Sequence, residues 1–173
     1  TGTDRLAEAA QALTEDIVVN IQGDEPLIEE VAVQCVLKPL LDEPDAPMSS
    51  IRVELQDDHD LRNPNVVKVV TDLQDTALYF TRSPIPWNAS TGERPGTHSW
   101  WKHVGLYAYR RDFLLEFVRL ERTPLEEREQ LEQLRALEHG YRIKVPLCPV
   151  DSLGVDTPED LAQFRRLLEN AVS

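Results

Sequence analysis

The period of the hydrophobic pattern changes along the chain, and the changes divide it into elements. Ile17-Val18-Val19-Asn20-Ile21 is a short apolar run rich in β-branched residues, ended abruptly by Gly23-Asp24-Glu25-Pro26. A run of that length between turn formers predicts a strand, and its near-continuous apolarity predicts a parallel strand covered on both faces. Upstream, Leu6, Ala9, Ala10 and Leu13 recur at helical spacing, with Thr3 placed as N-cap. Downstream, residues 29–41 predict a helix with Val31, Val33, Val36, Leu37 and Leu40 inward and Pro39 near its end. Pro44 and Pro47 mark a loop before a second strand at 48–53.

Residues 57–64 read as a polar connection. Residues 66–71 and 76–81 alternate as two strands, and the Asp72-Leu73-Gln74-Asp75 turn between them predicts an antiparallel hairpin. Ser83-Pro84-Ile85-Pro86-Trp87 must leave the sheet, because two prolines cannot serve an interior strand. Residues 88–99 have the Gly/Pro/Ser/Thr composition of a loop or lid. A strand is expected at 100–109 and a short helix at 112–120. Thr123-Pro124-Leu125-Glu126 spells a helix start, with Thr as N-cap and Glu at the capping-box position. The helix that follows carries Leu131, Leu134 and Leu137 on one stripe and stops near Gly140. A strand is expected at 143–148. Thr157-Pro158-Glu159-Asp160 then opens a terminal helix with Leu161, Phe164 and Leu168 inward. Helices alternating with strands, plus one hairpin, predict a single α/β domain with a mixed sheet. A helix at the first residues of an α/β chain should follow a strand, so an N-terminal portion is expected to precede the sequence as given.

Composition narrows the function. The 173 residues suffice for one core, no apolar run is long enough to span a bilayer, and no signal-peptide pattern opens the chain. Cys35 and Cys148 lack CxxC or His spacing and read as buried reduced thiols, consistent with the cytoplasm. A net charge of −13 argues against a nucleic-acid partner. A small anionic substrate then needs a metal or a local basic cluster, for which Arg82, Lys102, His103, Arg110 and Arg111 are candidates.

Four stretches carry candidate chemistry. Ligands of open α/β sheets gather beyond the carboxyl ends of strands, where Asp24 and Glu25 stand as hard oxygen donors suited to Mg²⁺. A polar turn in which Asp24 caps the next helix explains the same residues. Asp156 lies between a strand exit and a helix start, where the helix dipole alone would favour it. Two such aspartates could share a divalent ion in a phosphoryl-type transfer. Arg82 stands at the foot of a Pro-fixed loop, suited to a bidentate carboxylate clamp or simply exposed. The fourth joins His103-Val104-Gly105-Leu106-Tyr107 with Leu131-Glu132-Gln133-Leu134-Arg135, where Glu132 and Gln133 lie off the leucine stripe, a place in which a polar pair is normally just solvated.

Taken together, these stretches resemble one family, the 3-deoxy-D-manno-octulosonate cytidylyltransferases or CMP-Kdo synthetases. The resemblance runs through Thr1-Gly2-Thr3-Asp4-Arg5, Asn20-Ile21-Gln22-Gly23-Asp24-Glu25-Pro26 and Asn63-Pro64-Asn65-Val66-Val67-Lys68-Val69-Val70. It continues through Ala77-Leu78-Tyr79-Phe80-Thr81-Arg82-Ser83-Pro84-Ile85-Pro86, His103-Val104-Gly105-Leu106-Tyr107-Ala108-Tyr109-Arg110, Leu131-Glu132-Gln133-Leu134-Arg135 and Gly154-Val155-Asp156-Thr157-Pro158-Glu159-Asp160-Leu161. It implies a three-layer, Rossmann-like nucleotide-diphospho-sugar transferase fold, with the antiparallel hairpin region used for dimerisation. It also implies transfer of CMP from CTP to the acid sugar Kdo, releasing pyrophosphate, by a cytoplasmic homodimer of lipopolysaccharide biosynthesis. By the same likeness Asp24 and Asp156 would ligate Mg²⁺, and Thr1, Gly2, Thr3 and Asp4 would line the cytidine pocket. Arg82, His103, Tyr107, Glu132 and Gln133, with Gln22 nearby, would hold the sugar, Arg82 and His103 offsetting its carboxylate charge. The family's basic triphosphate loop belongs to the preceding portion, so these residues alone are expected to turn over poorly. Sister enzymes acting on an N-acylneuraminate or 8-amino-Kdo, and a non-catalytic dimerisation module, are the alternatives.

Overall fold

In the computed structural model, residues 2–23, 28–55, 57–87, 100–151 and 166 are described. The alternation read from the sequence is realised as α1 (Gly2–Ala10), β1 (Ile17–Asn20), α2 (Glu30–Asp42), β2 (Met48–Glu54), α3 (Asp58–Arg62) and β3 (Lys68–Thr71). It continues as β4 (Ala77–Thr81), β5 (Trp101–Arg110), α4 (Arg111–Phe117), α5 (Pro124–Glu129), α6 (Gln133–Glu138) and β6 (Ile143–Lys144). The mixed sheet has the order β4-β3-β5-β2-β6, with β1 also on β5. Among the strands of the described residues, only β2 and β6 pair in parallel.

β5 is the strand on which the rest assemble. It pairs antiparallel with β2 along most of its length, with β3 at Trp101 and Lys102, and with β1 from Tyr107 to Arg110. Strand alternation splits its side chains between two cores. Val104, Leu106 and Ala108 meet Ala32, Val36 and Leu40 of α2, whereas Tyr107 and Tyr109 meet Ala7 and Ala10 of α1, Phe113 and Phe117 of α4, and Leu134 of α6. The result is the expected three-layer sandwich, with helices on both faces of one sheet.

Several expectations are corrected. β1 is a strand, but it is antiparallel to β5 and only Val18 in it is buried. Thr3 is not an N-cap; it lies within α1 and is buried. In α2 the inward residues are Ala32, Val36 and Leu40, while Val31 is exposed. The connection at 57–64 contains α3, because Asp57 caps it through the His59 N–H and acidic side chains fill its first turn. The strand at 143–148 shrinks to β6, with one further bridge at Leu147.

The helix beginning at Thr123 starts as expected, with Glu126 accepting from the Thr123 N–H. It then breaks at Gln130, which takes φ +54°, and resumes as α6. The cause is tertiary. The Arg82 guanidinium takes the carbonyls of Glu129 and Gln130, which an unbroken helix would direct to the N–H groups four residues on. Gly140, at φ +84°, ends α6 where expected. The Tyr141 N–H donates to Ala136 and the Gly140 N–H to Leu137, both at 2.9 Å, closing a Schellman motif that favours glycine. The hairpin at 72–75 forms as well, with Asp72 Oδ1 accepting from the Gln74 and Thr76 N–H groups.

Candidate active site

A cavity of about 360 Å³ opens where the exit of β1 meets the first turn of α1 and the start of α6. It is lined by Gly2 and Thr3, by Asn20, Ile21, Gln22 and Gly23, and by Glu132. Four residues predicted from the sequence therefore come together: Gly2, Thr3, Gln22 and Glu132. The Thr3 hydroxyl donates to Glu132 Oε2 at 2.5 Å, and Arg135 Nη2 donates to Glu132 Oε1 at 3.2 Å. Arg135 is in turn gripped by Glu126, whose two oxygens accept from Nε at 2.8 Å and Nη2 at 2.6 Å. Burial alone would raise the Glu126 pKa, but the Arg135 hydrogen bond and charge outweigh it and hold the carboxyl below its ordinary value. Both members of that pair are buried, so removing Arg135 would leave Glu126 as an uncompensated buried charge, costing roughly 3–5 kcal/mol.

His103 and Tyr107 lie on the same face of β5 as Tyr109, with ring centroids 5.4 Å and 5.9 Å apart along the row. A β-carbon on Gly105 between them would meet Gln22 Nε2 at 3.6 Å, which places the Gln22 amide over this row. His103 Nε2 lies 2.8 Å from the Ser50 hydroxyl, and Phe80 packs edge-on against the ring. Burial, then the neighbouring Lys102 charge, pushes the imidazole down to about 3. His103 is therefore neutral at pH 7, better suited to positioning a polar group than to offsetting a substrate's charge. Burial, with the nearby Tyr109 and Glu132, raises the Tyr107 pKa well above its ordinary value, so its hydroxyl stays a neutral donor.

Arg82 departs further from expectation. Its Nε donates to the Glu129 carbonyl at 2.9 Å and Nη1 to the Pro64 carbonyl at 2.8 Å, while its backbone N–H donates to Glu129 Oε2. The guanidinium is thus an architectural clamp on the α5–α6 turn rather than an open fork. The supposed basic cluster also disperses. Lys102 pairs with Asp151 at 2.9 Å, Arg110 bonds the Leu40 carbonyl, and Arg111 bonds the Ala10 carbonyl. Gln133 is buried beside Leu134 rather than solvated. Asp4 is exposed on α1, and its charge reaches Arg135.

Thr1, Asp24 and Asp156 lie outside the described residues, as do the loop at 88–99 and the terminal helix apart from Arg166. Among the described residues no three His, Cys, Asp or Glu side chains gather as a metal cluster. Asn20, Ile21 and Gly23 line the cavity without having been singled out. Arg135 had a readable signal: it sits four residues beyond Leu131 and next to Leu134, a charge amid an apolar stripe. Ser50 and Glu126 had little, since only the folded sheet brings Ser50 to His103.

A polar cavity at a strand exit of a mixed three-layer sandwich suits a nucleotidyltransferase, and the cytidylyltransferase family model matches residues 1–143. The 3-deoxy-manno-octulosonate cytidylyltransferase of Solibacter usitatus is 50% identical over 99% of this chain and 67% of its own length. That of Geotalea uraniireducens is 52% identical over 98% of this chain and 70% of its own length. The chain belongs to the 3-deoxy-manno-octulosonate cytidylyltransferase family. The solved structure of a CMP:2-keto-3-deoxy-manno-octonic acid synthetase complexed with CTP superposes with a TM-score of 0.90 at 37% identity, covering 99% of this chain and 69% of that one. A 4-diphosphocytidyl-2C-methyl-D-erythritol synthase from Anaerococcus prevotii, 13% identical with a TM-score of 0.56 over 94% of this chain and 64% of that one, shares the fold.

Proposed function

We propose that this protein transfers CMP from CTP to the anomeric hydroxyl of Kdo, giving CMP-Kdo and pyrophosphate for lipopolysaccharide biosynthesis. The observation that carries the reading is the cavity itself. Within a chain half identical to 3-deoxy-manno-octulosonate cytidylyltransferases, it joins Gly2 and Thr3, the residues expected on the cytidine side, to Gln22 and Glu132, expected on the sugar side.

The chain's own residues divide the work. The start of α1 receives the nucleotide, and Glu132 and Gln22 take sugar hydroxyls by hydrogen bonding. Neutral His103 and the Tyr107 hydroxyl orient the acid sugar from the rigid floor of β5. Holding both substrates in one cavity replaces a bimolecular encounter by an oriented one, which supports a large part of the rate. Asp24 follows directly on the cavity-lining Gly23, and by family likeness its carboxylate and that of Asp156 would supply an all-oxygen donor set suited to Mg²⁺. When bound, Mg²⁺ would neutralise triphosphate charge and acidify the attacking hydroxyl.

The homodimer expected from the family has support in the β3–β4 hairpin, where Leu73 is 97% and Leu78 62% exposed near an edge strand. We assign the protein to the cytoplasm, where Cys35 and Cys148, both free thiols, stay reduced. No helix among the described residues is long and apolar enough to cross a membrane.

The test is pyrophosphate release by the full-length protein with CTP and Mg²⁺ against Kdo, 8-amino-Kdo and N-acetylneuraminate. Turnover of Kdo above the others, lost in Asp24→Asn, is expected. Preference for another acid sugar would overturn the substrate assignment, and failure to bind CTP would favour a non-catalytic module.

A further inference from the structure

Glu132 occupies an unusual position. It lines the cavity from α6, yet one oxygen is held by Thr3 of α1, 129 residues away in sequence, and the other by Arg135. Thr3 is itself buried, so its side chain is fixed within α1 rather than free to seek another acceptor. Arg135 is equally constrained, because Glu126 grips two of its nitrogens and the Phe117 ring lies 4.9 Å beneath the guanidinium. A hydroxyl bonded to a carboxylate is stronger than a neutral pair, and a carboxylate fixed at both oxygens has little rotational freedom left. The chain Thr3–Glu132–Arg135–Glu126 thus runs from the helix expected to receive the nucleotide to the element expected to receive the acid sugar.

We propose that Thr3 and Arg135 are positioning residues for Glu132, so that the Thr3 hydroxyl completes the sugar half of the site from the nucleotide half. The role rests on the reading above, in which Glu132 meets the acid sugar. It differs from the one the family likeness gives Thr3, which is contact with cytidine. It also gives Arg135 a task beyond holding the helix pair: the i,i+3 contact keeps Glu132 Oε1 turned toward α6, leaving Oε2 directed at α1. Loosening either tether lets the carboxylate swing, which weakens capture of the sugar rather than the chemical step.

The experiment is steady-state kinetics of Thr3→Val, Thr3→Ser and Arg135→Lys with each substrate varied in turn. Thr3→Val keeps the shape of the side chain and removes the donor. It is expected to raise KM for Kdo about tenfold, the scale of losing one hydrogen bond to a charged group. KM for CTP should rise less than KM for Kdo, since a positioning role for Glu132 acts chiefly on the sugar. Thr3→Ser restores the hydroxyl and should return KM for Kdo to near wild type. Arg135→Lys, which keeps the charge but loses the fork, should shift KM for Kdo in the same direction as Thr3→Val. Thr3→Val combined with Glu132→Ala should be no worse than Glu132→Ala alone.

A rise in KM for CTP with KM for Kdo unchanged would overturn the proposal, as would failure of Thr3→Ser to rescue or full additivity in the double variant. Thermal unfolding of the same four proteins of the Thr3/Glu132 cycle supplies a readout that needs no turnover. If wild type made no CMP-Kdo, the functional reading would fail separately, and the melting data would decide the tether. Non-additive Tm changes sustain it; additive ones refute it.

Discussion

Acidification should destabilise this protein through one side chain before its carboxylates titrate. His103 is buried on β5 against Phe80, Tyr107 and Ser50, and burial followed by the Lys102 charge takes its pKa from 6.5 to about 3. Between those values the unfolded chain binds a proton that the native one refuses. Stability is therefore held above pH 6.5 and lost as the pH falls toward 3. Each pH unit below 6.5 removes about 1.4 kcal/mol, so about 2 kcal/mol should be gone by about pH 5. The carboxyls of Glu126 and Glu129 are held below their ordinary 4.5, and Asp72 below 3.8, so their losses begin at lower pH. The part of the slope from 6.5 to about 5 that His103→Gln removes is the share of this imidazole. Urea unfolding at three pH values across this interval, for wild type and His103→Gln, measures the slope. The variant should be less stable at pH 7, having lost two ring contacts, yet nearly flat where wild type declines. A wild-type midpoint unchanged between pH 7 and 5, or an equal slope in the variant, would refute the reasoning.

Two further outcomes are expected. Glu129 accepts from Thr81 Oγ1 at 2.7 Å, from the Arg82 N–H at 3.0 Å and from the Tyr79 hydroxyl at 3.3 Å, fastening the α5–α6 turn to the end of β4. Glu129→Ala leaves those donors unmatched and should cost about 1–3 kcal/mol in urea unfolding, whereas a loss under about 0.5 kcal/mol would contradict it. Cys35 packs beside Cys148, and burial, then that neighbour, pushes its thiol up from 9 to about 11. At pH 8 it should then hold about a hundredth of the thiolate of an unfolded cysteine, so a disulfide reagent should label it correspondingly slowly until denaturant is added; prompt labelling of the native protein would sink this.

Local signals gave most of the elements, and long-range partners decided the rest. The turn at Asp72, the helix start at Thr123 and the stop at Gly140 all appear where turn and cap chemistry places them, since each is closed by residues within five positions. The break at Gln130 does not, because its cause is Arg82, 48 residues upstream. The same arginine shows the limit for site residues. A guanidinium at a strand exit has the chemistry of a carboxylate clamp, but only the fold reveals the carbonyls that already occupy it. Glu132 was legible as a polar residue off an apolar stripe, whereas its tether to Thr3 depends on α1 and α6 meeting. Antiparallel pairing of β1 was equally hidden, because an apolar run declares burial and not the direction of its neighbour.

The divided pairing of β5 has an evolutionary consequence. Its first residues answer to β3 and its last to β1, while β2 backs most of the strand. Between these two allegiances lie Val104, Gly105 and Leu106, whose identities are tied to β3 or β1 least. Of these, Val104 and Leu106 are pinned by the α2 core, so Gly105, beneath Gln22, is the one position in that interval where change would reach the cavity while the flanking segments keep the scaffold in register.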